Sequence, residues 1–211
     1  MKENYQLSLD KLLATECTGE RRKRLLLHAC CAPCSSYVLE YLSTYFDITL
    51  FFYNPNISPR AEYQFREAEL ARLVTEMGLG DRVCLLSGTY DPDRFGAIAD
   101  GLEQEPEGGS RCRRCYRLRL SEAARIAAEG SYDYYTTTLS ISPHKNAEWI
   151  NEIGKEEGAK YGVRFLPSDF KKRNGYRRSC ELSADYGLYR QDYCGCVYSK
   201  EARQRGSTKS S

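Results

Sequence analysis

Seven of the ten cysteines in this 211-residue chain fall into three short clusters. The first is Cys30-Cys31-Ala32-Pro33-Cys34, the second Cys112-Arg113-Arg114-Cys115, and the third Tyr193-Cys194-Gly195-Cys196. Thiolates bind soft metals and carry thiol–disulfide exchange, so these clusters are the candidate chemistry of the chain. Cys112 and Cys115, three residues apart, put both sulfurs on one face of a helix. A helix N-terminus and the flanking arginines are expected to favour their thiolate forms. Together with the first cluster they supply four or five thiolates, enough for tetrahedral zinc or for an iron–sulfur cluster. Ligand count does not separate the two. In the third cluster a disulfide across one residue closes a tight, easily reduced ring, so the pair reads as a redox-active dithiol or as further metal ligands. Cys17, Cys84 and Cys180 are isolated; Cys84 is expected in the core.

The elements that must position these clusters follow from the pattern of apolar runs. A helix is expected over 5–15 and a buried strand over 24–29, ending at the first cluster. A helix over 35–45 and a strand over 47–53 follow, the strand closed by Asn54-Pro55-Asn56. Further helices are expected over 59–77, 112–128, 145–160 and 177–186, and further strands over 82–86, 133–138 and 163–166. Residues 91–107 hold six acids and one arginine and read as a solvated excursion; the residues from Arg203 read as a polar tail. Strands alternating with helices imply right-handed crossovers and a mostly parallel α/β sheet with flanking helices. In such a sheet the chemistry sits in loops at the carboxyl ends of the strands, where every cluster falls.

Composition narrows the function further. Lysine plus arginine number 31 against 29 acids, a net charge of +2, which excludes a uniformly basic nucleic-acid coat. Charge is local instead: residues 110–120 carry five arginines and no acid, and residues 171–211 carry ten basic residues against four acids. A positive rim beside a thiol site suits an RNA substrate, and seventeen tyrosines offer stacking platforms. No signal-peptide or membrane-spanning pattern is present, which makes the cytoplasm the expected location, where thiols stay reduced. His144, after Pro143 at a helix entrance, is a candidate proton donor. The first strand is not followed by a glycine-rich phosphate loop, which disfavours a nucleotide-dependent transferase.

The segments 27–34 (LHACCAPC), 52–57 (FYNPNI), 112–116 (CRRCY) and 187–196 (GLYRQDYCGC) together resemble the epoxyqueuosine reductases of the QueH family, in the same order and across about 24–199. The resemblance implies a nucleotide-hydrolase-like (HUP-like) α/β fold in a single catalytic domain over 24–199. Residues 1–23 would form a helical, basic leader and 200–211 a polar tail. It implies reduction of the epoxide of epoxyqueuosine in the tRNA anticodon loop to queuosine, with electrons from an external donor. Cys30, Cys31, Cys112 and Cys115 would hold a 4Fe–4S cluster, and Cys194 with Cys196 would be the redox-active disulfide pair. Cys34 and Asp169 are candidates to hold an additional iron. A zinc-stabilised RNA-binding module and a thiol-based tRNA sulfur-transfer enzyme are the competing readings.

Overall fold

The computed structural model describes residues 3–19 and 21–207. Five parallel strands form one sheet: β1 (Lys23–Ala29), β2 (Phe46–Phe52), β3 (Val83–Ser87), β4 (Tyr134–Thr137) and β5 (Arg164–Phe165). Their order is β3-β2-β1-β4-β5. Leu25 is in register with Ile48 on one side and with Tyr134 on the other, so β1 is central. It is central because Leu25, Leu26 and Leu27 are apolar on both faces, and only a strand covered on both sides buries such a run.

Side chains alternate across β1 into two cores. Leu25, Leu27 and Ala29 face helices α1 (Tyr5–Glu16), α2 (Ala32–Leu42) and α3 (Arg60–Glu76), with Leu9, Val38, Leu39 and Leu70. Leu26 faces α5 (Ser110–Glu129) and α6 (Ala147–Tyr161), with Leu120, Ala124, Ile150 and Ile153. Each buried leucine contributes about 1.5–3 kcal/mol. Helices α4 (Pro92–Ala99), α7 (Gly175–Asp185) and α8 (Val197–Ser207) complete the α-helices among the described residues. Among the described residues no helix is long and apolar enough to cross a membrane.

The parallel α/β architecture is as expected, with differences that have physical causes. Residues 91–107 are not wholly a solvated excursion. Pro92 opens α4, where its fixed φ suits a first turn, and Phe95 and Ala99 bury against Cys115 and Cys196. Helix α2 starts at Ala32 rather than Ser35, because Pro33 is tolerated in a first turn and Cys31 is its extended N-cap. Cys84 is exposed rather than in the core, since β3 is the edge strand. The chain is helical to Ser207 where the sequence reads as a polar tail; residues 208–211 lie outside the described residues.

Chain order along the sheet reverses between β1 and β4. Ligands bind at the carboxyl ends of strands flanking such a switch point. Cys30 follows β1 there, and its N–H donates to Thr138 Oγ1 at 3.3 Å, just beyond β4.

Candidate metal and thiol site

The structure gathers Cys30, Cys31 and Cys34. Their sulfurs lie within 4.8 Å of one another, the one three-ligand group of its kind among the described residues. Cys30 and Cys31 Sγ are 3.8 Å apart. The strand–helix junction does this: β1 ends at Ala29, Cys31 caps α2, and Cys34 returns one turn later. Hydrogen bonds from Cys31 and Cys34 hold the Cys30 thiol well below its ordinary pKa. The hydrogen bond to Cys30 and burial push Cys31 up to about 12, and Cys34 also rises. One sulfur is thus the preferred anion, which two neighbours solvate.

Cys112 and Cys115 lie in the first two turns of α5 and line a small inner chamber with Cys194 and Cys196. Burial raises Cys112 and pushes Cys115 up to about 11, so the expected thiolate-favouring effect of helix and arginines is outweighed. The flanking arginines face elsewhere: Arg113 pairs with Glu152, and Arg114 donates to the Ile98 carbonyl.

Arg119 joins the two thiol groups. It is 2 % exposed, donates to Asn54 Oδ1 at 2.8 Å, and reaches Cys115 Sγ at 4.0 Å. No carboxylate pairs with it among the described residues, and it lines both the inner chamber and the outer cleft of about 520 Å³ floored by Cys30, Cys31 and Cys34. A buried cation without a carboxylate requires another anion, and thiolates around a metal supply it. The residues present therefore fit a thiolate-ligated metal centre. Asn54 also donates to the Ala29 carbonyl at 2.9 Å, so it fixes Arg119 to the end of β1. Beneath it His28, fully buried, lies 3.0 Å from the Tyr53 carbonyl and 2.8 Å from Thr137 Oγ1; burial and Arg119 pull it down to about 3.

The third cluster closes the chamber. Gly195 has φ +117°, a conformation that excludes side chains, and a Cβ there would meet Ile57 at 3.0 Å. Its carbonyl accepts from Ser58 N–H, and the Cys194 carbonyl accepts from Arg66 Nη1 at 3.3 Å. Burial pushes Cys196 up to about 12. All ten cysteines are free thiols here, and Cys194 and Cys196 both line the chamber. Lys145 Nζ is 3.2 Å from Cys194 Sγ. Burial opposes its charge, but Cys194, Tyr116 and Glu107 raise its pKa. Nothing in the sequence around Lys145 singles it out; its signal is burial.

His144 is exposed on the cleft wall. Asp169 lies apart from the thiol group, 2.5 Å from Lys171 Nζ. The hydroxyls at the end of β4 and just beyond it are committed internally: Thr137 to His28 and Ser140 to Ser168. The basic stretches are also less available than their sum suggests. Arg173 pairs with Asp10, Arg178 with Glu40 and Arg117 with Glu156 and Glu157.

A parallel α/β sheet with a buried cation and clustered thiols at its switch point defines a cysteine-rich, metal-binding α/β protein. The family model for epoxyqueuosine reductase QueH matches residues 25–202, and the chain belongs to that family. It is 45 % identical over 199 residues to the epoxyqueuosine reductase QueH of Streptococcus pyogenes serotype M1, covering 93 % of this chain and 78 % of the relative. It is 46 % identical over 202 residues to that of Staphylococcus epidermidis, covering 93 % and 84 %. It is accordingly an oxidoreductase that converts epoxyqueuosine to queuosine, with tRNA as its substrate. Its fold is shared with the U34-tRNA thiolase NcsA from Methanococcus maripaludis, solved with its 4Fe-4S cluster. The TM-score is 0.56 at 11 % identity, over 92 % of this chain and 67 % of that one.

Proposed function

We propose that this chain reduces the epoxide of epoxyqueuosine in a tRNA anticodon loop at a 4Fe–4S centre held by Cys30, Cys31, Cys112 and Cys115. The observation that carries this reading is Arg119, a buried cation that lines the cavities of both clusters and has no carboxylate partner among the described residues. When bound, a cluster supplies one-electron transfers and Lewis acidity toward the epoxide oxygen. The chain's own residues do the rest. The unpaired base of an anticodon loop enters the cleft, which is wide enough to take a splayed nucleotide. Deoxygenation takes two electrons and two protons and releases water. Oxidation of Cys194 and Cys196 to a disulfide yields two electrons and two protons, and an external donor then restores the dithiol. His144, on the cleft wall, delivers a proton to the leaving oxygen.

We also read the strand order as a HUP-like fold, with one catalytic domain over 24–199 and a cytoplasmic location. Cys34 is the proposed neighbour for an additional iron, with Asp169 as a further ligand if its loop turns inward. One observation favours a second reading: sulfurs within 4.8 Å suit a single tetrahedral ion, zinc included, at Cys30, Cys31 and Cys34. A thiol-based sulfur-transfer enzyme has only the shared fold behind it.

Anaerobic purification followed by iron, sulfide and zinc assays separates these. About four irons and four sulfides per chain support the cluster. Stoichiometric zinc, with no brown absorbance after anaerobic reconstitution, refutes it. Nucleoside mass spectrometry of tRNA from a deletion strain tests the reaction: epoxyqueuosine accumulates, unless a second reductase is present.

A further inference from the structure

Helix α7 forms one wall of the cleft, and three of its residues lie on one face. Tyr176, Ser179 and Ser183 stand at i, i+3 and i+7, the spacing of a single helical stripe. Tyr176 and Ser179 line the cleft. The Tyr176 ring is 38 % exposed and stacks on no other ring among the described residues. Ser183 Oγ donates to the Ser179 carbonyl at 2.6 Å and accepts from Arg190 Nη1 at 3.1 Å. That bond holds one edge of an exposed guanidinium and leaves the rest of its fork to the cleft.

Arg190 differs from the other arginines lining the cleft. Arg66 is paired with Glu62, Arg203 with Asp192, and Arg119 is enclosed by thiols. Arg190 has no carboxylate partner among the described residues. Beside it the buried Oε1 of Gln191, on the same wall, has no hydrogen-bond partner. A free ring and a guanidinium held at one edge only are the complement of a nucleic-acid strand: a base face and a phosphate.

We propose that this wall is a single-strand RNA track, in which Tyr176 stacks a base and Arg190 anchors a phosphate of the tRNA loop flanking the reacting nucleotide. From Tyr176 to Ser183, which holds Arg190, the helix rises about 10 Å. At about 3.4 Å per stacked nucleotide, that spans about three nucleotides. The proposal rests on the reading that the reacting base enters this cleft. It does not depend on which metal the thiols hold.

The test is RNA binding by the anaerobically purified protein, measured by fluorescence anisotropy across a salt series. The probes are a synthetic anticodon stem–loop and a fully paired hairpin of equal length. Arg190→Gln weakens binding to the stem–loop several-fold and lowers the slope of log K against log salt by about 0.7, the value for one single-strand phosphate. Arg190→Lys keeps the slope. Tyr176→Ala weakens stem–loop binding roughly tenfold without changing the slope, Tyr176→Phe restores it, and the paired hairpin is insensitive to both Tyr176 changes. Unchanged binding by both Arg190→Gln and Tyr176→Ala overturns the proposal, as does an Arg190→Gln loss with no change in slope. Epoxyqueuosine conversion by the metal-loaded wild type is scored separately. Conversion with no effect of these variants on binding sinks the track alone, whereas absent conversion sinks the reading of the site.

Discussion

The ammonium of Lys145 stands 3.2 Å from Cys194 Sγ and 3.2 Å from Glu107 Oε1, with only 9 % of its side chain exposed. The two bonds tie the entrance of α6 to the third cysteine cluster and to the loop that leads into α5. They also make the pair at 194 and 196 unequal. Cys194 has a cation at hydrogen-bond distance, whereas Cys196 is buried and its thiol is pushed up to about 12. The ammonium donates a hydrogen bond that holds and orients the Cys194 sulfur, the atom that attacks disulfides and alkylating agents.

Lys145→Met is therefore expected to slow alkylation of Cys194 at pH 7 roughly tenfold, in line with about 1.5 kcal/mol for a charge-assisted hydrogen bond. Lys145→Arg retains most of the rate. Iodoacetamide labelling followed by peptide mass spectrometry reads each sulfur separately, and Cys196 stays unlabelled until the protein is unfolded. Equal labelling of Cys194 in wild type and Lys145→Met removes the role given to Lys145.

The two cysteine pairs should respond differently to substitution. On the proposed assignment Cys112→Ser is expected to lose cluster iron and turnover together, because a proposed ligand is gone. Cys194→Ser is expected to keep most of its iron and lose turnover, because the proposed relay is gone. Iron and sulfide assays set beside nucleoside mass spectrometry separate the outcomes. Normal turnover in both variants contradicts the assignment of ligands and relay alike.

Much of this arrangement is legible in the chain. The run Leu25–Leu27 is apolar on both faces, so a central strand is its natural home, and the thiols after it land at the switch point. What the sequence hides is anything decided by long-range pairing. Local charge sums do not register that Asp10 neutralises Arg173 or that Glu40 neutralises Arg178, 138 residues away. Helix α4 has only Phe95 and Ala99 buried among acids, too weak a stripe for its eight residues to stand out. Cys84 looks like a core residue because its strand is apolar, and only the sheet order reveals an open edge. Lys145 is invisible for the same reason: a lysine at a helix entrance is ordinary until the fold buries it.

Helix α7 must start without a side chain. A Cβ built at Gly175 lies 2.0 Å from the Phe170 carbonyl oxygen and 2.5 Å from the Tyr37 ring. The first obstacle is backbone, which cannot swing aside. Gly175→Ala is expected to cost about 1–3 kcal/mol through overpacking. It should also displace the wall that carries Tyr176 and Ser179. Urea denaturation gives the stability change, and a loss of stem–loop affinity should accompany it. A variant as stable as wild type contradicts the close packing of α7 on α2.

At the opposite, amino-terminal ends of the strands, Glu16 gathers Arg164 at 2.6 and 2.7 Å, Lys23 at 3.4 Å and the Tyr134 hydroxyl. The carboxylate thereby ties α1 to β1, β4 and β5. The hydrogen bonds from Arg164 and then Tyr134 hold its pKa down at about 2, against an ordinary value near 4.5. A depressed carboxylate stabilises the fold fully above its unfolded pKa and loses that contribution as pH falls from about 4.5 toward 2. Arg164 is 60 % exposed and Glu16 31 %, so solvent screening limits the contribution to about 1 kcal/mol. Glu16→Gln should therefore be about 1 kcal/mol less stable than wild type at pH 7, and the gap should close by pH 2. Urea denaturation of both proteins at pH 7, 4 and 2 measures it. A gap of equal size at pH 7 and pH 2 means that the ion pair does not hold α1 to the sheet. Turnover at pH 7 should be unaffected, because this tie lies at the far end of the strands from the thiols.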